Sequence, residues 1–507
     1  MVTDDQTAAT RPRQPEHTPL GELATWLTGA DASTEVRGTT EGVTLSGVSL
    51  SSQRILPGDL YAALPGARRH GAEFAADAVA SGAVALLTDP AGGELAGVGV
   101  PLLVVEHPRS VLGRLAARVY GEPAAAMRVI GVTGTQGKTT TTRLLDGGLQ
   151  RAGVRSAVIG TVGTRVAGEE VKTALTTPEA PDLHGLFAVM RERGVEACAM
   201  EVSSHALVLG RVDGVVFDVA VFLNLGRDHL DFHRDVDDYF AAKASLFTPA
   251  RARTGLVNID DEHGRLLLER ASIPLRTFSA EGATADWQVS DVELTAAGST
   301  FVITTPAGER ITAGCPLPGD FNVSNTLAAV AAAGEAGLDP VVVAAGIAGG
   351  GGVPGRLERV ETGQDFVVVV DYAHKPDAVA AALRTLRPLT DGRVIVVLGA
   401  GGDRDPGKRP IMAEIAARLA DVVVVTDDNP RTEDPAAIRA AMLAGISDSA
   451  AEVLEIGDRR AAIGEALRLA APGDIVLIAG KGHETGQEIG GAVHPFDDRD
   501  VVREALR

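Results

Sequence analysis

The stretch Arg128-Val129-Ile130-Gly131-Val132-Thr133-Gly134-Thr135-Gln136-Gly137-Lys138-Thr139-Thr140 decides how this chain is read. Arg128 to Val132 is a short β-branched run, and Leu144, Leu145 and Leu149 follow at helical spacing. Strand, glycine-rich loop and helix form an arrangement in which backbone N–H groups and a helix N-terminus receive phosphate oxygens. In such a loop Lys138 meets the β- and γ-phosphates of a nucleotide and Thr139 reaches Mg²⁺. The spacing departs from the usual Walker pattern, which needs glycine at 132; here the glycines stand at 131, 134 and 137. A glycine-rich turn with an exposed lysine is the plain alternative, and the flanking strand and helix speak against it. The expected phosphate-loop residues are Gly134, Thr135, Gln136, Gly137, Lys138, Thr139 and Thr140.

Downstream, from Val360 to the C-terminus, apolar runs alternate with amphipathic ones, the pattern of βαβ units and a parallel sheet. Phe366 to Val370, Arg393 to Leu398, Asp421 to Thr426 and Asp474 to Ala479 are too apolar for a one-sided sheet and read as buried central strands. A polar cluster follows each: Asp371 to His374, Gly401 to Asp405, Asp427 to Arg431 and Lys481 to Glu484. Ligands of open α/β sheets bind beyond the carboxyl ends of the strands, so these clusters are expected to converge on one cleft. The run Gly349 to Gly352, ending at Pro354, reads as a linker before this domain, and a second composition shift falls at Glu122 to Ala126. Upstream of that shift, Val84 to Thr88 and Leu102 to Val105 read as strands of a smaller α/β domain. The expected division is a disordered extension over 1–18, an N-terminal domain over 19–125, a central domain over 126–352 and a C-terminal domain over 353–507.

The 507 residues allow roughly three domains at about 150 residues each. With 47 basic against 67 acidic residues the net charge is −20, which argues against broad binding to nucleic acid or to membrane surfaces. Two cysteines, Cys198 and Cys315, supply neither a disulfide framework nor a thiolate zinc site and read as buried thiols. The first residues lack the apolar core of a secretory signal, and no uncharged 18-residue apolar span is present, so a cytoplasmic protein is expected.

Gly131-x-x-Gly134-Thr135-x-Gly137-Lys138-Thr139 resembles the nucleotide loop of the Mur ligase superfamily, the ATP-dependent amide-forming enzymes of peptidoglycan and folate metabolism. The resemblance covers almost the whole chain after residue 45. It is carried by Thr176-Thr177, Glu201-Val202-Ser203-Ser204-His205, Asn224-Leu225-x-Arg227-Asp228-His229-Leu230-Asp231-x-His233 and Ala242-Lys243. Further along it rests on Asn322-Val323-Ser324-Asn325, Gly355-Arg356, Asp371-Tyr372-Ala373-His374, Asp428-Asn429-Pro430-Arg431 and Gly480-Lys481-Gly482-His483-Glu484. These residues best match the branch that adds the third residue of the muramoyl peptide. The implied fold is three α/β domains: a central P-loop-type ATPase domain with a mostly parallel sheet, a C-terminal Rossmann-like doubly wound domain and a smaller N-terminal domain. The implied reaction joins meso-2,6-diaminopimelate to the D-glutamate of UDP-N-acetylmuramoyl-L-alanyl-D-glutamate, through an acyl phosphate, with release of ADP and phosphate. A monomer acting on small molecules is expected.

Making an amide from a carboxylate in water is uphill, and phosphorylation by ATP supplies the activation. The transfer depends chiefly on cations at the γ-phosphate. By the resemblance, Lys138, Lys243, His229 and Glu201 are catalytic, and Thr139, Glu201, His229 and Lys243 surround Mg²⁺. An ammonium cannot ligate magnesium; the matching lysine of the family is a carbamate formed with CO₂, which requires a neutral amine first, and burial among cations favours one. Asn325, Arg356 and Asp371 join the phosphate loop in holding ATP. Leu50, Ser52, Ala67, Arg68, Arg69, Thr176, Thr177, Ser203 and Arg211 are the implied UDP-muramoyl-peptide residues. Arg404, Asp428, Asn429, Pro430, Arg431, Gly480 and Glu484 are implied for diaminopimelate, with Arg431 gripping its distal carboxylate and Glu484 suited to an ammonium.

Three other readings compete. A lysine-adding or folylpolyglutamate-forming sibling differs by substrate, and Asn429-Pro430-Arg431 speaks for diaminopimelate. A P-loop switch would hydrolyse ATP without ligation. An oxidoreductase reading of Gly399-Ala400-Gly401-Gly402 fails the full dinucleotide fingerprint, because position 404 is arginine.

Overall fold

Runs such as Val422-Val423-Val424-Val425 place a branched side chain on both faces of a strand, so both faces must be covered. The computed structural model, which describes residues 9–507 apart from 31, 32, 174 and 448, meets that demand with α/β layers throughout. The chain divides into two compact units: Met1–Gln288 with Thr305–Glu309 and Leu327–Gly346, and Val289–Thr304 with Arg310–Thr326 and Ile347–Arg507.

The first unit holds two sheets. Five strands near the N-terminus run in the order Glu35–Arg37, Leu102–Val104, Ala85–Thr88, Asp59–Ala62 and Gly47–Ser49, parallel except at the first pair. Their core includes Leu20, Leu27, Leu60, Leu87, Leu103 and Leu115. The expected strands at 84–88 and 102–105 are present. In the larger sheet of this unit the parallel strands run Ser156–Gly160, Ala197–Glu201, Arg128–Thr133, Phe217–Phe222, Ala252–Asn258 and Leu275–Ser279. Arg128–Thr133 comes first in sequence but lies inside the sheet, so the strand order reverses at it, and the carboxyl end of such a strand is where open α/β sheets bind ligands. In sequence the short helix Pro123–Ala126 lies between the strands of the two sheets.

The N-terminal extension departs from expectation. Residues 1–8 lie outside the described residues, but from Thr10 onward the segment is docked instead of disordered. Thr10 is buried, and Thr18–Pro19 pairs antiparallel with Thr44–Leu45. Its polar side chains find buried partners far along the chain, which local composition does not reveal.

The second unit carries a sheet in the order Glu358–Arg359, Val367–Asp371, Ile475–Ala479, Val394–Leu398, Val422–Val425 and Glu452–Glu455, parallel from Val367–Asp371 onward. Val423 and Val425 enter one core with Val396 and Leu398, while Val422 and Val424 enter another with Ile395 and Val397. Helices cover both faces, as a doubly wound domain requires. The unit also takes in the antiparallel pair Gly298–Thr304 and Arg310–Cys315, and Ala296 packs against the first of these cores. Both cysteines are free and buried. Among the described residues no helix is long and apolar enough to cross a membrane.

Candidate active site

The phosphate loop leaves the strand Arg128–Thr133 and enters the helix Lys138–Arg151 through Gly137, whose φ of 84° is a conformation a side chain would strain. Asn224 clamps the loop from the end of the neighbouring strand: its Oδ1 accepts the N–H groups of Thr135 (3.1 Å) and Gln136 (2.9 Å). Lys138 Nζ donates to the carbonyls of Gly134 (2.8 Å) and Thr135 (3.0 Å), which holds the ammonium across the loop. Thr140 is buried in the first turn of the helix.

Glu201 ends the strand Ala197–Glu201, paired in register with Val132. Its buried carboxylate accepts Thr139 Oγ1 (2.9 Å), Thr161 N (2.8 Å) and Thr161 Oγ1 (3.1 Å). A Cβ on Gly160 would overlap that carboxylate, so the glycine is what lets Glu201 reach the loop. Lys243 lies on the helix Val236–Ala244, which Asp235 caps by accepting Asp238 N at 2.7 Å. Its Nζ, 1% exposed, donates to the same Gly134 carbonyl (2.8 Å) that Lys138 uses and sits 4.6 Å from the centre of the Tyr239 ring. Burial, then the Lys138 ammonium, hold the Lys243 amine well below the usual lysine range, against an opposing pull from Asp228. Tyr239, bonded to Thr135 Oγ1 at 3.1 Å, is pushed up to about 12 by burial. His229 has a φ of 56°, its N–H donates to Asp228 Oδ1 (2.9 Å), and its ring packs edge-on against His205 at 4.8 Å.

Of the four expected metal ligands, Thr139 and Glu201 are therefore joined directly, whereas Lys243 bonds the Gly134 carbonyl of the loop and His229 is tethered to Asp228. Among the described residues no group of three or more His, Cys, Asp or Glu is placed to hold a metal ion. The adjacent Thr139 and Glu201 oxygens are the donor type that suits Mg²⁺.

Four of the expected UDP-muramoyl-peptide residues come together. Thr177 Oγ1 donates to Glu201 O (2.8 Å) and accepts Ser203 N (3.3 Å), Arg211 Nη1 reaches Thr177 O (3.5 Å), and Thr176 Oγ1 lies 3.1 Å from Thr161 Oγ1. Arg211 also pairs with Glu179 at 2.8 Å. Leu50 and Ser52 flank the start of the short helix Ser52–Arg54. Ala67, Arg68 and Arg69 are exposed, with Arg69 on Glu73 at 2.8 Å; no hydrogen bond or ion pair among the described residues joins them to Thr177 or Arg211.

In the second unit the four polar clusters do converge. Lys481 Nζ, fully buried, donates to Asn429 Oδ1 (3.0 Å) and Glu484 Oε2 (3.2 Å), and Asn429 Nδ2 donates to the same Glu484 oxygen (2.9 Å). Lys408 Nζ donates to His374 O (2.9 Å), and Arg431 Nη1 to Gly402 O (2.6 Å). Arg431 has a φ of 53°, and its Nε faces Glu488 at 3.2 Å. A Cβ on Gly480 would overlap Asp428, and Pro430 accepts Glu433 N. Arg404 is exposed beside Asp403 and stands apart from this network. Asp371 accepts Leu357 N (2.7 Å); burial pushes its carboxyl up, opposed by Arg356, whose guanidinium lies 5.2 Å from the Tyr372 ring centre. Asn325 Nδ2 donates to Asn322 Oδ1 at 3.1 Å.

Sequence reasoning missed several supporting residues. Asn224 lay inside a quoted motif without a role. Tyr239 precedes Lys243 by four residues, a helical spacing that places both on one face. Lys481 stands within the Gly480–Glu484 motif without an assigned role, and Glu488 and the fully buried pair Arg459–Asp498 (2.7 Å) carry no local signal beyond their charge.

Three Mur ligase family models match the chain: the family's catalytic domain over 44–120, the Mur ligase middle domain over 132–333 and the glutamate ligase domain over 355–482. The UDP-N-acetylmuramoyl-L-alanyl-D-glutamate–2,6-diaminopimelate ligase of Streptomyces avermitilis is 56% identical over 98% of both chains. The protein of that name from Corynebacterium glutamicum is 50% identical over 91% of this chain and 92% of its own. A solved structure of a ligase with the same name matches with a TM-score of 0.71 and 36% identity, covering 93% of this chain and 96% of the other. With the loop, the buried lysine and both α/β units in place, the chain belongs to the Mur ligase family.

Proposed function

We propose that this chain joins meso-2,6-diaminopimelate to the D-glutamate carboxylate of UDP-N-acetylmuramoyl-L-alanyl-D-glutamate, with ATP as the energy source, in peptidoglycan precursor synthesis. The observation that carries the reading is 56% identity, over 98% of the chain, to a relative whose name states that ligation. As a Mur ligase, the protein is an ATP-dependent amide-bond-forming enzyme.

Lys138 and the N–H groups of the loop stabilise charge on the phosphoryl group as it passes from ATP to the glutamate carboxylate. Thr139 and Glu201 would hold Mg²⁺, with phosphate oxygens, water and the other ligands completing its shell; when bound, the ion neutralises phosphate charge. The depressed basicity of Lys243 supports its conversion to a carbamate: the neutral amine adds CO₂ and loses a proton, exchanging a cation beside Lys138 for an anionic oxygen donor. His229 is assigned to the same centre. The diaminopimelate amine then attacks the acyl phosphate, and phosphate leaves.

Arg431 is assigned to the distal carboxylate of diaminopimelate, Glu484 with Asn429 and Lys481 to its amino-acid head, and Arg404, Asp428, Pro430 and Gly480 to the surrounding pocket. Thr176, Thr177, Ser203 and Arg211, with Leu50, Ser52 and Ala67 to Arg69, are assigned to the UDP-muramoyl peptide. Asn325, Arg356 and Asp371 are assigned to ATP. The reading carries with it a monomeric, cytoplasmic enzyme. The test is a substrate matrix of ATP, the UDP-muramoyl dipeptide and either meso-diaminopimelate or L-lysine, read by product mass. The expected result is the diaminopimelate tripeptide with one ADP per amide; equal incorporation of lysine would refute the substrate, and ADP formation without any amide would refute the ligase.

A further inference from the structure

Residues 10–16 run between the five-stranded sheet and the helix Ala180–Glu192. Thr10 Oγ1 donates to Asp182 Oδ1 (3.2 Å), and the same carboxylate receives Arg54 through Nη2 (2.9 Å) and Nη1 (3.2 Å). Arg54 closes the short helix that begins at Ser52. Asp182 stands in the first turn of its own helix, just beyond Thr177 and beyond Glu179, the partner of Arg211. One carboxylate thus links the Leu50–Arg54 loop to the Thr177–Arg211 group, and the arm completes its coordination.

Arg11 fixes the other side of that loop. Its nearly buried guanidinium pairs with Asp59 (2.8 Å) and bonds the hydroxyl of Tyr120, and Asp59 in turn accepts Leu56 N at 2.9 Å. Beyond it, Glu192 accepts the N–H groups of Arg13 (3.0 Å) and Gln14 (2.6 Å), and Glu16 pairs with Arg191 at 2.8 Å. The surfaces that receive the arm are cut to fit it. A Cβ on Gly47 would overlap the Arg11 guanidinium, and one on Gly185 would overlap the Thr10 carbonyl. These two glycines belong to the sheet and to the helix, so both elements are shaped around the same segment.

We propose that this arm is a positioning device for the UDP-muramoyl peptide, with Arg11 and Asp182 as its anchors. It holds the Leu50–Arg54 loop and the Thr177–Arg211 group at a fixed separation, so that a substrate touching both binds without having to order them. The inference rests on the reading of those two loops as the UDP-substrate site.

The test compares the full chain with Arg11→Ala and Asp182→Asn. The readouts are steady-state kinetics, equilibrium binding of UDP-N-acetylmuramoyl-L-alanyl-D-glutamate and thermal midpoint. KM and Kd for the UDP substrate should rise about tenfold, as expected when a hydrogen bond to a charged group is removed. kcat, and the KM values for ATP and diaminopimelate, should stay near those of the parent. Arg11→Lys, which keeps a cation on Asp59, should recover most of the affinity. A segment that merely stabilises the fold would lower the midpoint or kcat and leave KM in place, and that outcome overturns the proposal. Should Arg11→Ala fail to fold, Thr10→Val and Asp182→Asn decide it by the same KM criterion. An unmodified chain that does not bind the UDP-muramoyl dipeptide overturns the functional reading, and the proposal with it; a parent that binds, with folded variants that bind equally well, overturns the arm alone.

Discussion

Lys243 and Lys138 donate to one carbonyl oxygen, that of Gly134, an arrangement two full ammonium groups do not favour. The conflict is relieved when Lys243 gives up its proton, and burial already drives it that way. Lys243→Ala should be nearly inactive, and acetate, small enough for the vacated space, should restore part of the turnover; full activity in this variant would remove Lys243 from the mechanism. Lys138→Ala should lose about a hundred- to a thousandfold in kcat, the usual cost of removing one preorganised electrostatic group. Near-parental turnover would instead send phosphoryl stabilisation elsewhere. At the other end of the chemistry, Arg431 keeps a left-handed backbone, a conformation that persists in a non-glycine residue only when its surroundings enforce it. Those surroundings are the Gly402 carbonyl and Glu488, which aim the guanidinium. L-Lysine lacks the distal carboxylate and leaves this cation without its substrate partner. A hydrogen bond to a charged group contributes about 1.5–3 kcal/mol, so under the proposed assignment of Arg431 selection for diaminopimelate should be about tenfold or more, and Arg431→Ala should narrow it. Competition at equal concentrations, read by product mass, measures both.

At the scale of elements, the strands and the phosphate loop were legible because apolar runs and glycine spacing are local signals. Phe366 to Val370 became Val367–Asp371 and Arg393 to Leu398 became Val394–Leu398, shifts of one residue at the ends. The convergence of the four clusters was also legible, because parallel strands carry their carboxyl ends to one edge. The arm at Thr10 was not: Thr10 and Asp182 are 172 residues apart, and a polar pair at that distance leaves no periodicity to read. Nor was the role of the helix Ala180–Glu192, whose buried His184 ties it to the turn at Asp213, before the strand Phe217–Phe222. His184 Nε2 lies 3.0 Å from Asp213 O, and since a carbonyl only accepts, Nε2 carries a hydrogen. Its Nδ1 is buried without a hydrogen-bond partner among the described residues, so a second proton there would be poorly received. Burial accordingly lowers this imidazole from the ordinary 6.5 to about 4. Above 6.5 the folded and unfolded states are both neutral there and the group has no effect on stability. As pH falls from 6.5 to 4 the unfolded chain takes up a proton that the folded one resists, and stability falls by roughly 3 kcal/mol. His184→Gln keeps a donor for Asp213 O and cannot titrate, so its denaturation midpoint should approach that of the parent across this interval. Parallel curves for the two proteins would show that His184 titrates normally.

At the scale of the whole molecule, each unit encloses its own core, and the proposed binding residues are divided between them. The phosphate loop and the Thr177–Arg211 group belong to the first unit, and the Arg431 and Glu484 network belongs to the second. Separate cores favour separate cooperative transitions, and a calorimetric enthalpy larger than the van't Hoff value should reveal them. A ligand that binds only the folded form raises stability by about 2.7 kcal/mol at a hundred times its Kd, and it acts on the transition of the unit that binds it. The UDP-muramoyl dipeptide should therefore raise one transition and meso-diaminopimelate the other. The chain crosses between the units after Gln288, Thr304, Glu309, Thr326 and Gly346, and each crossing ties the fate of one unit to the other. If those ties dominate, a single transition will respond equally to either ligand, and the assignment of independent cores fails. If the cores dominate, each ligand will move its own transition and leave the other within error. The Arg11→Ala variant then adds a control in the same instrument: the UDP-substrate shift should shrink while the diaminopimelate shift is kept, because Asp59, Tyr120 and Asp182, which anchor the arm, belong to the first unit.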